Sequence, residues 1–214
     1  MRSDGADLAG YADSANHLLH AKAEGGFESR GPAAGIAAPL SSTGQPMVSW
    51  SPLLLDVDHD GHLDLLMSHG HDWDSFLIGD TGAMRPVLFR NRGDATFDDL
   101  SAAFGLPDLH LARSIAAADL DGDGDLDLLF GGQTMAPLLM RNDVVHGGQW
   151  LGVRLRGRAS NPWGLGALIE LQTSTRSWVA EMSTQAPTHG MGAPLVHFAL
   201  PADVKVGELH VRWP

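Results

Sequence analysis

The 214-residue sequence contains no cysteine. Disulfides, thiolate metal sites and cysteine nucleophiles are therefore excluded. Basic residues are scarce: 14 Lys and Arg stand against 26 Asp and Glu, a formal charge of −12. That balance argues against nucleic acid and anionic membrane surfaces as partners, since both need clusters of Lys and Arg. No apolar run approaches the roughly 18 residues of a membrane-spanning helix, so no membrane insertion is expected. The opening MRSDGADLAG has no apolar segment of the signal-peptide kind. This leaves a cytosolic protein or a chain whose start is not the native one. Catalytic signatures are missing too. There is no G-x-S-x-G elbow, no Walker loop and no G-x-G-x-x-G, and Gly164-Leu165-Gly166 lacks the third glycine and the βαβ setting.

What is present is glycine (26), proline (12) and short apolar runs. This predicts many short strands joined by tight turns rather than long helices. The order of elements repeats. His17–Ile36 aligns without a gap on Val87–Leu106 at an offset of 70, so that Leu18 meets Leu88, Phe27 meets Phe97 and Gly35 meets Gly105. PLLMRND (Pro137–Asp143) is a third, partial copy, its Arg141-Asn142 echoing Arg90-Asn91. Ser51–Gly70 aligns on Ser114–Gln133 at an offset of 63. One unit of about 60–70 residues has the size of a large four-stranded propeller blade with insertions, and such units bury their faces only against neighbours. About two units and a partial one are present, fewer than the roughly 4–8 blades of a closed propeller. The expectation is a C-terminal piece of a longer propeller.

Negative charge is concentrated in two stretches of this repeat. Asp56-Val57-Asp58-His59-Asp60-Gly61-His62-Leu63-Asp64 and Asp119-Leu120-Asp121-Gly122-Asp123-Gly124-Asp125-Leu126-Asp127 share the form D-x-D-x-D-G-x-x-D. Positions 1, 3, 5, 6 and 9 suit a helix-type calcium loop, but position 12 is Met67 or Phe130 instead of a bidentate Glu. The flanks are strand-like. Three alternating carboxylates and a glycine turn can converge oxygens on one hard cation, and calcium tolerates loose geometry with 6–8 oxygens. The expected ligand set for two structural Ca²⁺ ions is Asp56, Asp58, Asp60, His62 and Asp64, and Asp119, Asp121, Asp123, Asp125 and Asp127. His62 and Asp125 would contribute their backbone carbonyls. A solvated acidic turn and a catalytic metal are the alternatives. The second loop is expected to bind more tightly, because it carries one more acid.

Beyond Asn142 the acidic repeat ends. From Gln149 to Pro214 five short strands are predicted. Leu151, Val153 and Leu155 alternate with polar or small residues, as do Ala167, Ile169 and Leu171, and Leu209, Val211 and Trp213. Trp178–Met182 and Val196–Leu200 are the other two. The predicted division is propeller blades over 1–143 and a small antiparallel β domain over 149–214, with the junction at Val144–Gly148.

These residues carry a family resemblance. Asp56–Leu65 and Asp119–Leu128 resemble the loops of FG-GAP/VCBS repeats, the blades of integrin-type propellers. Arg154–Leu171, Val196–Pro201 and Glu208–Pro214 resemble the ASPIC/UnbV domain that closes chains of the cartilage acidic protein family and its bacterial relatives. Leu65–Asp72, Val87–Leu106 and Leu138–Asp143 are similar to the last blades before that domain. The resemblance implies an all-β fold, a partial integrin-type β-propeller followed by a small antiparallel β-sandwich or barrel-like domain. It further implies bound calcium and an exported protein, extracellular or periplasmic, with a binding role. There are departures. Ala21 stands where Asn91 and Asn142 stand in the other copies, Pro162 follows Ser160-Asn161, and Ala199-Leu200-Pro201 follows His197-Phe198. These put a ligand role of the terminal domain in doubt.

Other constellations compete with this reading. His69, His71, Asp72 and Asp74 offer zinc-type ligands, against a polar inter-strand loop as the plainer account. Arg90-Asn91 and Arg141-Asn142 are expected to hold turns. His210 is expected to point outward. Trp50, Trp73, Trp150, Trp163, Trp178 and Trp213 suit strand packing better than a sugar platform. The leading function is a non-enzymatic, calcium-binding interaction module for a protein or glycan ligand. The alternative is a carbohydrate-active enzyme or lectin using the propeller face.

Overall fold

In the computed structural model the described residues are 16–36, 39–40, 47–70, 84–107, 109, 112–132, 135–145, 147–158, 161–184 and 192–214. Every regular element among them is a β-strand, and the expected all-β fold is what the chain adopts. The strands are β1 (Leu19–Ala21), β2 (Phe27–Ser29), β3 (Ser49–Leu55), β4 (Asp64–His69), β5 (Val87–Asn91), β6 (Phe97–Asp99), β7 (Ala112–Ala118), β8 (Asp127–Gly132) and β9 (Leu138–Met140). They are followed by β10 (Gln149–Val153), β11 (Leu168–Thr173), β12 (Ser177–Glu181), β13 (Val196–Leu200) and β14 (Val206–Arg212).

The first nine strands form successive antiparallel meanders: β1-β2, then β3-β4-β5-β6, then β7-β8-β9. They are blades of a partial propeller, and the repeat seen in the sequence is repeated in the hydrogen bonds. At an offset of 70, Lys22 N to Gly26 O becomes Arg92 N to Thr96 O, and Ile36 N to Gly31 O becomes Leu106 N to Ser101 O. At an offset of 63, Leu55 opposite Asp64 becomes Ala118 opposite Asp127, and the register shift at Ser49/Ser51 recurs at Ala112/Ser114.

Hydrophobic cores lie between neighbouring sheets. β4 is buried along its whole length, Asp64 to His69. Its Leu65 and Met67 pack with Ala34, Ile36, Val87 and Phe89, while Leu66, on the opposite face, packs with Leu88, Ile115, Leu128 and Phe130. A strand alternates its side chains between two faces, so a continuous apolar run belongs where both faces are covered. Truncating Leu66, which has no exposed surface, to alanine costs about 2–5 kcal/mol.

β10–β14 fall within a few residues of their predicted positions. β10 pairs with β13, and β12-β11-β14 forms a second antiparallel sheet. The sheets enclose Val153, Ile169, Leu171, Val196, Phe198 and Leu200. His210, on β14, is exposed as expected and lies 3.1 Å from Glu208.

Candidate metal centre

Both acidic loops follow β-strands, β3 and β7, and feed β4 and β8. Their folding is local. Asp56 accepts the amides of Asp60 (3.2 Å) and Gly61 (2.8 Å), and Asp119 accepts those of Gly122 (2.7 Å) and Gly124 (3.2 Å). A chain that curls back on a carboxylate so tightly needs residues in the left-handed region, which glycine enters without steric cost. Gly61 and Gly124 sit at φ 85° and 98°. Gly122 is also left-handed (φ 83°), but the matching residue of the first loop is His59, at φ 56°. Asp60 and Asp123 cap the next turn through the amides of His62 and Asp125, each at 2.9 Å.

This curl brings one oxygen from each of Asp56, Asp58 and Asp60 within 4.8 Å of one another, and does the same for Asp119, Asp121 and Asp123. These six predicted positions converge. Asp64 and Asp127 are not in these groups and do something else. Asp64 accepts Val57 N at 3.0 Å and Asn91 N at 2.8 Å. Asp127 accepts Leu120 N at 3.0 Å and Asn142 N at 2.9 Å. Each buried carboxylate ties the loop's second residue to the strand that follows. The carboxylate of Asp125 faces His59 Nε2 at 3.5 Å, away from the three-oxygen group. The imidazole of His62 lies over Gly93, where an added Cβ would be 2.7 Å from Nε2.

The electrostatics show the cost of this crowding. Burial, with the charges of Asp60, Asp64 and Asp58 adding to it, pushes the Asp56 carboxyl up to about 7 despite the Gly61 amide. Burial pushes Asp64 up to about 6, opposed by the Asn91 and Val57 amides and reinforced by Asp58 and Asp60. Asp58 Oδ1 is buried and has no hydrogen-bond partner. A buried carboxylate oxygen in that state is costly, and a hard cation between three carboxylates would satisfy it. The donor set is all oxygen, which suits Ca²⁺ or Mg²⁺ rather than a thiophilic metal.

Arginine supplies part of the missing positive charge, and it does so unequally. Arg90 donates from Nε to Asp58 Oδ2 at 2.5 Å and from Nη2 to Asp60 Oδ2 at 2.8 Å. Its repeat counterpart Arg141 reaches Asp121 only at 3.5 Å and turns to Asp143 at 2.5 Å. The Arg-Asn pairs expected to hold turns divide that work. The asparagines hold the turns, Asn91 Oδ1 accepting Gly93 N and Asn142 Oδ1 accepting Val144 N. Arg90 neutralises a loop. The recurrence of Arg-Asn after each strand was visible in sequence, but the pairing spans 30 or more residues.

The two loops also meet the C-terminal sheets. His197 Nε2 contacts Gly124 O at 2.7 Å, Trp150 stacks on His197 with ring centroids 5.9 Å apart, and His59 lies 5.7 Å from the same ring. Arg176 donates from Nη2 to Gly61 O. A Cβ on Gly124 would collide with the Trp150 indole. Nothing in the sequence marked these residues as neighbours of the loops.

Among the remaining candidates, His71, Asp72, Trp73 and Asp74 lie outside the described residues. His69 is fully buried; its Nδ1 meets Arg85 O at 3.0 Å, and burial lowers its pKa to about 4. Trp178 packs in the C-terminal core, and Trp50 Nε1 donates to Gly70 O at 3.2 Å. Trp163 and Trp213 are exposed, whereas Trp150, though partly exposed, packs on His197 and Gly124.

Two segments of the chain match known families. Residues 72–130 match a family model described as an FG-GAP-like repeat, and residues 157–214 match one described as ASPIC and UnbV. The chain is thus an all-β protein in which a segment similar to FG-GAP-like repeats precedes one similar to ASPIC and UnbV. The second acidic loop lies inside the repeat match; the first lies before it and shares its geometry. Among curated proteins, cartilage acidic protein 1 of Homo sapiens is 47% identical over 45 residues, and that of Xenopus tropicalis is 40% identical over 45 residues. Each match spans 21% of this chain and 7% of the relative's length.

Proposed function

We propose that this chain is a calcium-stabilised interaction module that works outside the cytosol and catalyses no reaction. Its units are blades within residues 1–143 and a β domain within 149–214. The observation that carries the reading is the duplicated oxygen cluster, with Asp58 Oδ1 buried and unpaired. The ligands are Asp56, Asp58, Asp60, the His62 carbonyl and Asp64 in one loop. In the other they are Asp119, Asp121, Asp123, the Asp125 carbonyl and Asp127. Asp64 and Asp127 keep lone pairs for a cation while accepting amides. Calcium modules of the extracellular kind bind at about 10⁻⁴–10⁻³ M, a range filled outside cells and empty in cytosol. The FG-GAP-like and ASPIC/UnbV matches support an interaction role, since such segments are typically non-catalytic, and the cartilage acidic protein 1 matches support an extracellular setting. No helix of the described residues is long and apolar enough to cross a membrane.

Thermal unfolding with and without chelator tests this. At calcium about 20-fold over Kd, each site adds about 2 kcal/mol, so EGTA lowers the midpoint by several degrees. An unchanged midpoint contradicts calcium as a structural ion. A second reading, glycan binding, is favoured by Trp163 and Trp213. Both are exposed, and both flank Gly164, whose added Cβ would lie 3.2 Å from the Trp213 ring. Retention on a glycan array that Trp213→Ala abolishes would select it.

A further inference from the structure

In both acidic loops the peptide unit between positions 6 and 7 is held from two sides. Its N–H is bonded within the loop: His62 N donates to Asp60 Oδ1 and Asp125 N to Asp123 Oδ1, each at 2.9 Å. Its carbonyl is bonded from outside the repeat, by the C-terminal sheets. Gly61 O accepts from Arg176 Nη2, and Gly124 O accepts from His197 Nε2 at 2.7 Å. A carbonyl can only accept, so Nε2 is a protonated nitrogen of His197.

The two donors are not repeat counterparts. Arg176 stands between β11 and β12, and His197 stands in β13. One is a guanidinium and the other an imidazole, yet they reach the same atom of the two loops. Each is steadied by a tryptophan of its own sheets. The Arg176 guanidinium lies 4.2 Å from the centre of the Trp178 ring, and His197 stacks on Trp150 with centroids 5.9 Å apart. Glycine at position 6 makes the approach possible. A Cβ on Gly61 would lie 2.5 Å from Arg176 Nη2 and 3.1 Å from Pro201, and one on Gly124 would fall inside the Trp150 indole. A left-handed φ alone would also admit asparagine or aspartate there, so the seating of these sheets is a second reason for glycine.

The pinned peptide unit matters because of what it bonds. Asp60 and Asp123 each contribute an oxygen to the convergent groups. Turning the peptide over would release that carboxylate, and it would first have to break the bond to Arg176 or His197. We propose that Arg176 and His197 are positioning residues for the two cation sites, Arg176 for the first loop and His197 for the second. By holding the outward carbonyl, each fixes the peptide that orients a ligand carboxylate. The loop is thereby ordered before the ion arrives, which spares the ion the cost of ordering it. The coupling is reciprocal: a cation bound by Asp60 or Asp123 stiffens the carbonyl on which the C-terminal sheets sit. The proposal rests on the calcium reading and deepens it, since residues outside the repeat then set the affinity of each loop.

The test titrates the chelator-treated full chain with calcium alone, read by calorimetry, and follows backbone amide exchange by NMR. Arg176→Ala should weaken calcium about five- to tenfold at the site that Asp58→Ala removes, the worth of one hydrogen bond, and by less than about twofold at the other. His197→Ala should do the same at the site that Asp121→Ala removes. Arg176→Lys and His197→Gln each retain a donor and should recover most of the loss. In the metal-free protein the His62 amide should exchange faster in Arg176→Ala, and the Asp125 amide in His197→Ala. Calcium should shift the indole N–H resonance of Trp150, and Asp121→Ala should abolish that shift. Unchanged affinities at both sites in both alanine variants overturn the proposal and leave the calcium reading standing. A loss shared equally by the two sites also overturns it, because a general loosening of the C-terminal sheets would give that result. A wild-type chain that takes up no calcium overturns the calcium reading and this proposal with it.

Discussion

The loops 56–64 and 119–127 share one backbone plan and differ in how their charge is balanced. In the first, Arg90 sits on Asp58 and Asp60, and Asp56 is buried. In the second, Arg141 is drawn to Asp143, and Asp121 and Asp123 stay exposed. The comparison shows that an identical D-x-D-x-D-G-x-x-D spacing sets the convergence of the carboxylates but not their availability to a cation. A guanidinium fixed on two carboxylates competes with a divalent ion for the same oxygens. The second loop should therefore be the tighter site. The sequence suggested the same ranking from the extra acid Asp125, but that carboxylate faces His59 and is not one of the convergent oxygens.

The largest expected effect breaks what the loops have in common. Asp64→Ala and Asp127→Ala each remove the carboxylate that joins two backbone amides across the loop. An unsatisfied buried amide costs about 1–3 kcal/mol, so each variant should lose about 2–5 kcal/mol in urea unfolding. A loss below 1 kcal/mol at either position would show that the clamp is not structural.

Glycine substitutions come next. Gly124→Ala forces a left-handed alanine into the Trp150 indole, whereas Gly61→Ala meets the flexible end of Arg176. Strain of this kind costs about 1–3 kcal/mol. Gly124→Ala should be the more destabilising of the two and should change tryptophan fluorescence. Equal effects in both assays would remove Trp150 as the reason.

Much of this was legible beforehand, for a physical reason. The strands, the turns and the convergence of three carboxylates depend on residues within about ten positions of one another, and left-handed glycine and alternating side chains write themselves into spacing. Arg90 was missed because its partners Asp58 and Asp60 lie 30 or more residues back in the same blade, and His59, His197, Trp150 and Arg176 because their contacts join the loops to the C-terminal sheets. Arg90-Asn91 is followed by Arg92 and Arg141-Asn142 by Asp143, a difference present in the sequence whose consequence, Arg141 turning from Asp121 to Asp143, shows only in the fold. The second role of Asp64 and Asp127 was hidden for a related reason. A carboxylate at position 9 reads as a ligand, while the amides that reach it come from Asn91 at the end of β5 and from Asn142 just beyond β9.

A smaller effect sharpens the comparison. Arg90→Gln removes the competing guanidinium, so calcium should bind the first loop several-fold more tightly, while the metal-free protein loses about 1 kcal/mol. Arg141→Gln should change either quantity less. Isothermal titration and chelated melts check both, and equal shifts would show that the arginines do not distinguish the loops.

The last prediction concerns pH. Asp56 and Asp64 have folded-state pKa values raised to about 7 and about 6, above the ordinary 3.8. A raised carboxyl favours folding in its protonated form. Its contribution is complete below about pH 4 and is lost as pH rises through 6 to 7. The chelated protein should therefore lose stability between about pH 4 and pH 7, and saturating calcium should suppress that loss. A chelated midpoint that rises over this interval would contradict the burial of uncompensated carboxyls in the first loop.

Calorimetric titration of the chelator-treated full chain with calcium tests the central claim most directly. The account predicts two ions per chain in the submillimolar to millimolar range, the tighter removed by Asp121→Ala and the weaker by Asp58→Ala. No saturable heat up to several millimolar calcium, with no change in melting midpoint, would contradict it.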